Sequence, residues 1–270
     1  MKRAIAVAAI IAIAVGGWAL VRALQPSGGE ILISGASVVP VTGEPGTARV
    51  FLTIESRGAP DRLVSASSAE AGGAELVSPE LVNIGGATSL PVPGPGTPSL
   101  SADGAYILLR DITGNLAPGR LLPVSLGFAD AGDITIKPAV AAAKTGTTDP
   151  HGAHKGMAAG NVPRPGEPQP TIAIGVEEAP DGTGWDIRVT TDGFAFRKDL
   201  ADGAHVPGTG HGHLYADGLK LMRLYGDRVR IGALPPGRVT LRVTLNTNDH
   251  RAYVVDGKPV SAVQVVEVAE

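Results

Sequence analysis

His211-Gly212-His213-Leu214-Tyr215-Ala216-Asp217-Gly218-Leu219-Lys220-Leu221-Met222-Arg223-Leu224-Tyr225 is the stretch whose reading decides the fold. Asp217-Gly218 suits a two-residue hairpin loop, because both central residues of that loop take positive φ. The flanking residues alternate in character, so the segment predicts two antiparallel strands rather than a helix. In an extended chain, residues two apart share a face. His211 and His213 therefore point the same way, Leu214 points to the other side, and two imidazoles on one face make a chelate. Pairing outward from the turn sets Ala216 opposite Leu219, Tyr215 opposite Lys220, Leu214 opposite Leu221 and His213 opposite Met222. Met222 is thus expected beside His213, and one residue of slippage would break that pairing.

Working outward, residues 171–176, 185–191, 229–234, 239–245, 253–255 and 260–268 read as further short strands, punctuated by Asp192-Gly193, Pro235-Pro236-Gly237 and Asp256-Gly257. The clearest is 239–245, where Val239, Leu241, Val243 and Leu245 alternate with Thr240, Arg242 and Thr244. A second set, at 30–39, 48–55, 63–67, 74–77, 105–109, 121–128 and 133–137, reads the same way, and no amphipathic helix is evident. The expectation is an all-β chain of two antiparallel sandwiches, over 30–140 and 171–270. Between them, 141–170 shifts to Ala, Gly, Pro and Thr without periodicity, a flexible linker. It holds His151, His154 and Met157, which are either a loose metal-capturing set or incidental.

All 6 histidines and both internal methionines lie after residue 150, and there is no cysteine, so neither a disulfide nor a thiolate site is available. Copper and zinc both accept neutral imidazole at about 2.0 Å. The His211/His213 pair needs a third donor. His250 is preferred, because the end of a sheet gathers loops from distant sequence, with Asp249 beside it as a ligand or a ring-orienting carboxylate. His205 is next, since Gly208 and Gly210 give its loop room to fold back. Met222 would favour Cu(I) if the hairpin register holds. The plain alternatives are solvated surface histidines and a core methionine.

Residues 1–23 read as a targeting segment. Lys2 and Arg3 precede an uncharged run over 4–21 that ends at Arg22, close to the roughly 20 residues that span a bilayer. Val21-Arg22-Ala23 is a poor cleavage site, so an uncleaved signal anchor is favoured over a cleaved signal peptide, and either places the body of the chain outside the cytoplasm. A net charge of −3 without a basic tail argues against a nucleic-acid surface. There is no His-Glu-x-x-His, no Gly-x-Ser-x-Gly and no cysteine nucleophile, so no enzyme is expected.

Two resemblances accompany these readings. The succession Phe51-Leu52-Thr53-Ile54-Glu55, Asp61-Arg62-Leu63-Val64-Ser65, Ala105-Tyr106-Ile107-Leu108-Leu109 and Leu122-Pro123-Val124-Ser125-Leu126-Gly127-Phe128 resembles the periplasmic copper chaperone family PCu(A)C over about residues 30–140. The resemblance implies a cupredoxin-like fold and a copper site of two histidines and two methionines. At the corresponding positions this chain has Val77, Thr88 or Leu90, Tyr106 and Leu108. Residues 200–260 are similar to exported β-domains found beside copper-handling modules. Together these readings imply an exported copper-binding protein, a chaperone or buffer anchored in the inner membrane, with its site in the second domain. Its ligands would be His211, His213, His250, His205 and Met222, its ion copper or else zinc, and its recipient a copper-accepting membrane or periplasmic protein. The alternative is a structural or protein-interaction sandwich without metal.

Overall fold

A computed structural model describes residues 30–80, 89–142 and 160–269. Strands form where the alternation places them. Ala48–Ser56 buries Val50, Leu52 and Ile54 completely and turns Arg49 outward. In the first half, Ala48–Ser56 pairs with Ile31–Pro40 and with Tyr106–Ile112, which pairs in turn with Ala71–Val77. A second sheet runs Leu90–Val92, Asp61–Ser67, Val124–Phe128, Gly132–Ile136. The two sheets share one apolar core, with Leu52, Ile54, Ile107 and Leu109 from the first meeting Leu63, Leu90, Val124 and Leu126 from the second.

In the second half, the order is Leu219–Leu224, Thr209–Ala216, Gly237–Asn246, Ser261–Val268. Thr171–Glu178, Gly184–Asp192 and Arg228–Gly232 form the facing sheet. Leu214, Leu241 and Val243 pack against Val176, Ile187 and Ile231. The expectation of an all-β, antiparallel chain holds.

The halves are less separate than the sequence implies. Ser99–Leu100 pairs with Ala48–Ser56 on one side and, through Ser99, with Lys220 of Leu219–Leu224 on the other, so one sheet continues through both halves. Leu219, just past the hairpin turn, is fully buried in the first half's core. The turn, with Asp217 at φ 46° and Gly218 at φ 84°, has the conformation expected of Asp-Gly. Its carbonyls are taken up by the first half: the Ser78 hydroxyl donates to Asp217 O at 2.7 Å, and Ala105 N–H donates to Gly218 O at 2.7 Å. Gly104 permits this approach, because a Cβ there would stand 2.6 Å from Gly218 O.

The stretch 160–170 is not the free linker its composition suggests: Asn161 N–H donates to Ala252 O at 2.7 Å, Asn161 O accepts from Val254 N–H at 2.9 Å, and the residue is buried. Loop backbone with partners of its own packs instead of waving. The remainder of the expected linker, including His151, His154 and Met157, lies outside the described residues, as does the 1–23 segment. Among the described residues, no helix is long and apolar enough to cross a membrane.

The hairpin also departs from the expected register. Pairing starts as expected, Ala216 to Leu219 and Tyr215 to Lys220, but then shifts by one, so that Leu214 faces Met222 and His213 faces Arg223. The extra residue is Leu221. A bulge of this kind lets two residues oppose one and re-aims the side chains beyond it. Leu221 is buried in the second core two positions after Leu219 entered the first, and the strand bends between these two cores. Met222 consequently lies on Leu214's face, packed against the second core.

Candidate metal centre

Thr209–Ala216 is an interior strand, hydrogen-bonded on both sides. Its Leu214 face supplies core, and its other face carries His211, His213 and Tyr215. The glycines beside His211 are held by packing: a Cβ on Gly210 would stand 1.9 Å from Asn246 O, and one on Gly212 3.2 Å from Leu224 Cβ. Strand geometry brings the two imidazoles together, with the Nε2 atoms 2.9 Å apart and both rings almost wholly buried. Two nitrogens bound at 2.0–2.1 Å to one ion, at angles between square and tetrahedral, lie about 2.9–3.4 Å apart. The pair already has chelate spacing.

The third ring comes from the neighbouring strand. Gly237–Asn246 runs antiparallel, with Asn246 beside His211. The chain then folds over in a tight loop, in which His250 N–H donates to Thr247 O at 3.0 Å and Thr247 exchanges hydrogen bonds with Arg251. His250 adopts φ 69°, a left-handed conformation uncommon for a residue with a side chain and found at sites the surrounding fold over-determines. Its ring lies 4.8 Å from that of His211 and 6.2 Å from that of His213. One ligand atom from each of His211, His213 and His250 falls within 4.8 Å of the others, and among the described residues this is the group of three that meets that test.

Burial keeps the His211 and His213 rings neutral. Burial, reinforced by the neighbouring His213 and His250, pushes His211 down to about 2. Burial pushes His213 down to about 4 against the opposing pull of Asp103. Neutral imidazole is the metal-binding form. The far nitrogens are held as well. His213 Nδ1 lies 2.8 Å from Asp103 Oδ2 and 3.2 Å from Tyr215 Oη, and His250 Nε2 bonds to Asp202, leaving its Nδ1 for an ion. A carboxylate on the far nitrogen of a metal-binding histidine fixes its tautomer and orientation. Among the described residues, His211 Nδ1 has no hydrogen-bond partner.

Other expected members are elsewhere. His205 packs its ring against Tyr253 at 5.8 Å and is not in the group of three. Asp249 is bound to Thr247 and to Arg251 and orients no histidine. Met222 is removed by the register shift, and Arg223 in its place reaches Asp202 at 3.3 Å. The residues that sequence reasoning missed are Asp103 and Asp202. Each precedes a glycine in an ordinary turn signal, and nothing local marks either as an imidazole partner.

Once this geometry is known, the position of known relatives along the chain is informative. Residues 31–155 match the LpqE-like lipoprotein family. The match falls on the half whose strand order resembles the PCu(A)C chaperones, and it stops before the histidine centre. Solved structures similar to this chain include the copper-free PCuAC domain from PmoF1 (26% identity, 43% of this chain and 98% of that one, TM-score 0.38). The copper-bound PCuAC domain from PmoF2 is similar too (24% identity, 43% and 97%, TM-score 0.37), as is the Cu(I) form of DR1885 from Deinococcus radiodurans (21% identity, 44% and 85%, TM-score 0.33). No curated protein matches the chain. Within the LpqE-like half, Val77 and Tyr106 sit opposite each other on paired strands. The positions where the resemblance places copper ligands are thus neighbours, but Tyr106 lies under the Arg49 guanidinium, 4.9 Å away, and Val77 offers no donor.

Proposed function

We propose that the chain is an extracytoplasmic copper-binding protein, a chaperone or buffer, whose ion is held by His211, His213 and His250. The observation that carries this reading is the convergence of three imidazoles, two of them facing carboxylates through one ring nitrogen. Sheet geometry alone accounts for His211 and His213 sharing a face. It does not account for a third ring delivered by a left-handed residue. Nor does it account for carboxylates from two separate loops.

The donor set favours Cu(II) over other divalent ions. Imidazole suits both copper and zinc, affinity along the first-row series peaks at Cu(II), and among the described residues no thioether that would draw Cu(I) joins the centre. Three protein donors leave positions open, which suits an ion that is cargo to be handed on. The side chain of His250, 23% exposed, is the one of the three through which the ion would enter and leave. The family matched by the LpqE-like half, a lipoprotein family by name, and the apolar run at 4–21 support an extracytoplasmic location at a membrane, with a copper-accepting membrane or periplasmic protein as recipient.

The test is titration of the protein with Cu(II) and with Cu(I) against competing chelators, beside a His211→Ala/His213→Ala variant. The expected result is one tightly held equivalent of Cu(II) in the parent, lost in the variant. Equal binding by the two proteins would sink the reading.

A further inference from the structure

We infer that the LpqE-like half completes the metal centre of the other half, with Asp103 as the positioning residue that fixes the tautomer of His213 and aims its Nε2 at the ion. This rests on the metal-binding reading above. Asp103 lies in the loop between Ser99–Leu100 and Tyr106–Ile112, in the half of the chain that has no donor set of its own. Its carboxylate is 12% exposed and engaged on both oxygens. Oδ2 lies 2.8 Å from His213 Nδ1 and accepts from Tyr215 Oη at 3.0 Å, itself 3.2 Å from that nitrogen, and from Lys220 Nζ at 2.6 Å, while Oδ1 accepts from the Ser101 hydroxyl at 2.7 Å. The loop is clamped, with Ser101 N–H on Ala105 O at 2.8 Å and Ala105 N–H on Gly218 O at 2.7 Å.

This arrangement is more than an ion pair across an interface. A buried carboxylate facing an imidazole would ordinarily pull a proton onto the ring. Here Lys220 balances the charge, so His213 supplies one N–H and keeps the Nε2 lone pair toward His211. Lys220, Tyr215 and His213 occupy one face of the hairpin, and all three converge on the same oxygen. Other links between the halves, among them Ser78 to Asp217 O, Arg62 to Pro236 O and Arg242 to Glu80, carry no hydrogen bond to an imidazole. A ring held in one tautomer presents a preorganised ligand, and losing such a partner typically costs 10–100-fold in metal affinity.

The experiment uses the full chain. Removing Asp103 alone would leave Lys220 buried and unpaired, so the informative variant is Asp103→Ala/Lys220→Met, set against Lys220→Met and against Ser78→Ala, which loosens the interface away from the site. Two readouts are taken: Cu(II) affinity by chelator competition, and the ring 15N shifts of His213 in metal-free protein. The double variant is expected to bind Cu(II) about 10–100-fold more weakly and to lose the single Nδ1–H tautomer, while Lys220→Met, which leaves Asp103 in place, keeps the Nδ1–H, and Ser78→Ala keeps parental affinity and tautomer. Parental affinity with an unchanged tautomer in the double variant overturns the proposal, as does an equal loss in Ser78→Ala. If the double variant does not fold, Asp103→Asn, which keeps the shape and removes the charge, is read in the same way. If the parent itself takes up no copper, the metal reading fails, and the tautomer readout still decides the role of Asp103.

Discussion

The two halves of the molecule are built alike, as antiparallel sandwiches closed over aliphatic cores, and differ in what one interior strand carries on its second face. In the LpqE-like half, Tyr106–Ile112 presents Tyr106 and Leu108 there. In the other, Thr209–Ala216 presents His211, His213 and Tyr215. The family match tracks the first pattern and the candidate chemistry tracks the second. A core is specified by many apolar positions and is recognisable as a family, whereas a metal centre needs three side chains and a few outer partners. Family likeness and function therefore separate readily along a chain.

This contrast would be broken most severely by removing the donors. His211→Ala/His213→Ala should lower Cu(II) affinity by more than the 10–100-fold typical of an outer-partner loss, whereas Tyr106→Phe should leave it unchanged; isothermal titration of both proteins checks the pair. A large loss in the second would return the site to the LpqE-like half.

The next largest effect concerns whether the halves are independent. Leu219→Ala, a change in the second half's hairpin, empties a buried position in the first half's core and should cost about 2–5 kcal/mol. Urea unfolding monitored by near-ultraviolet circular dichroism should show a single transition moved to lower denaturant. Two transitions, with one unmoved, would mean that the shared sheet does not couple the halves.

Acid should sharpen the contrast at the centre. His211 and His213 are bases whose folded values, about 2 and about 4, lie below the ordinary 6.5 because they are buried. The unfolded chain therefore takes up protons first. Their contribution to stability is complete above about 6.5 and is lost progressively as pH falls from there toward about 4 and then about 2. Thermal midpoints of chelator-treated protein should drop across this window, and the drop should shrink in His211→Ala/His213→Ala. The smallest effect is expected at Met222, which packs against the core: Met222→Leu should cost less than about 1.5 kcal/mol and leave Cu(I) and Cu(II) affinities unchanged in titrations.

Much of this architecture is legible in the residues. Period-two alternation locates the main strands of both halves, because one face of each is buried. Asp217-Gly218 marks its turn, because few other residue pairs take positive φ at both positions. The short strands Leu90–Val92 and Ser99–Leu100 are not legible, since two or three residues carry no period. The register beyond Tyr215 is not legible either, because the bulge at Leu221 answers to two cores on either side of the hairpin. That single shift replaces an expected thioether with Arg223 beside His213.

What the sequence determined by itself is the shared face of His211 and His213, a consequence of backbone geometry between residues two apart, and the exclusion of thiolate ligands and of imidazole and thioether donors from residues 30–140. Tertiary structure alone decided the rest. Bringing the preferred His250, and not His205, against the pair depended on how one loop turns after Asn246. Recruiting Asp103 and Asp202 depended on which loops meet over that face. Local alternation is set by burial of one side of a strand, but the approach of Asp103 to His213 is set by a sheet that runs from one half of the chain into the other.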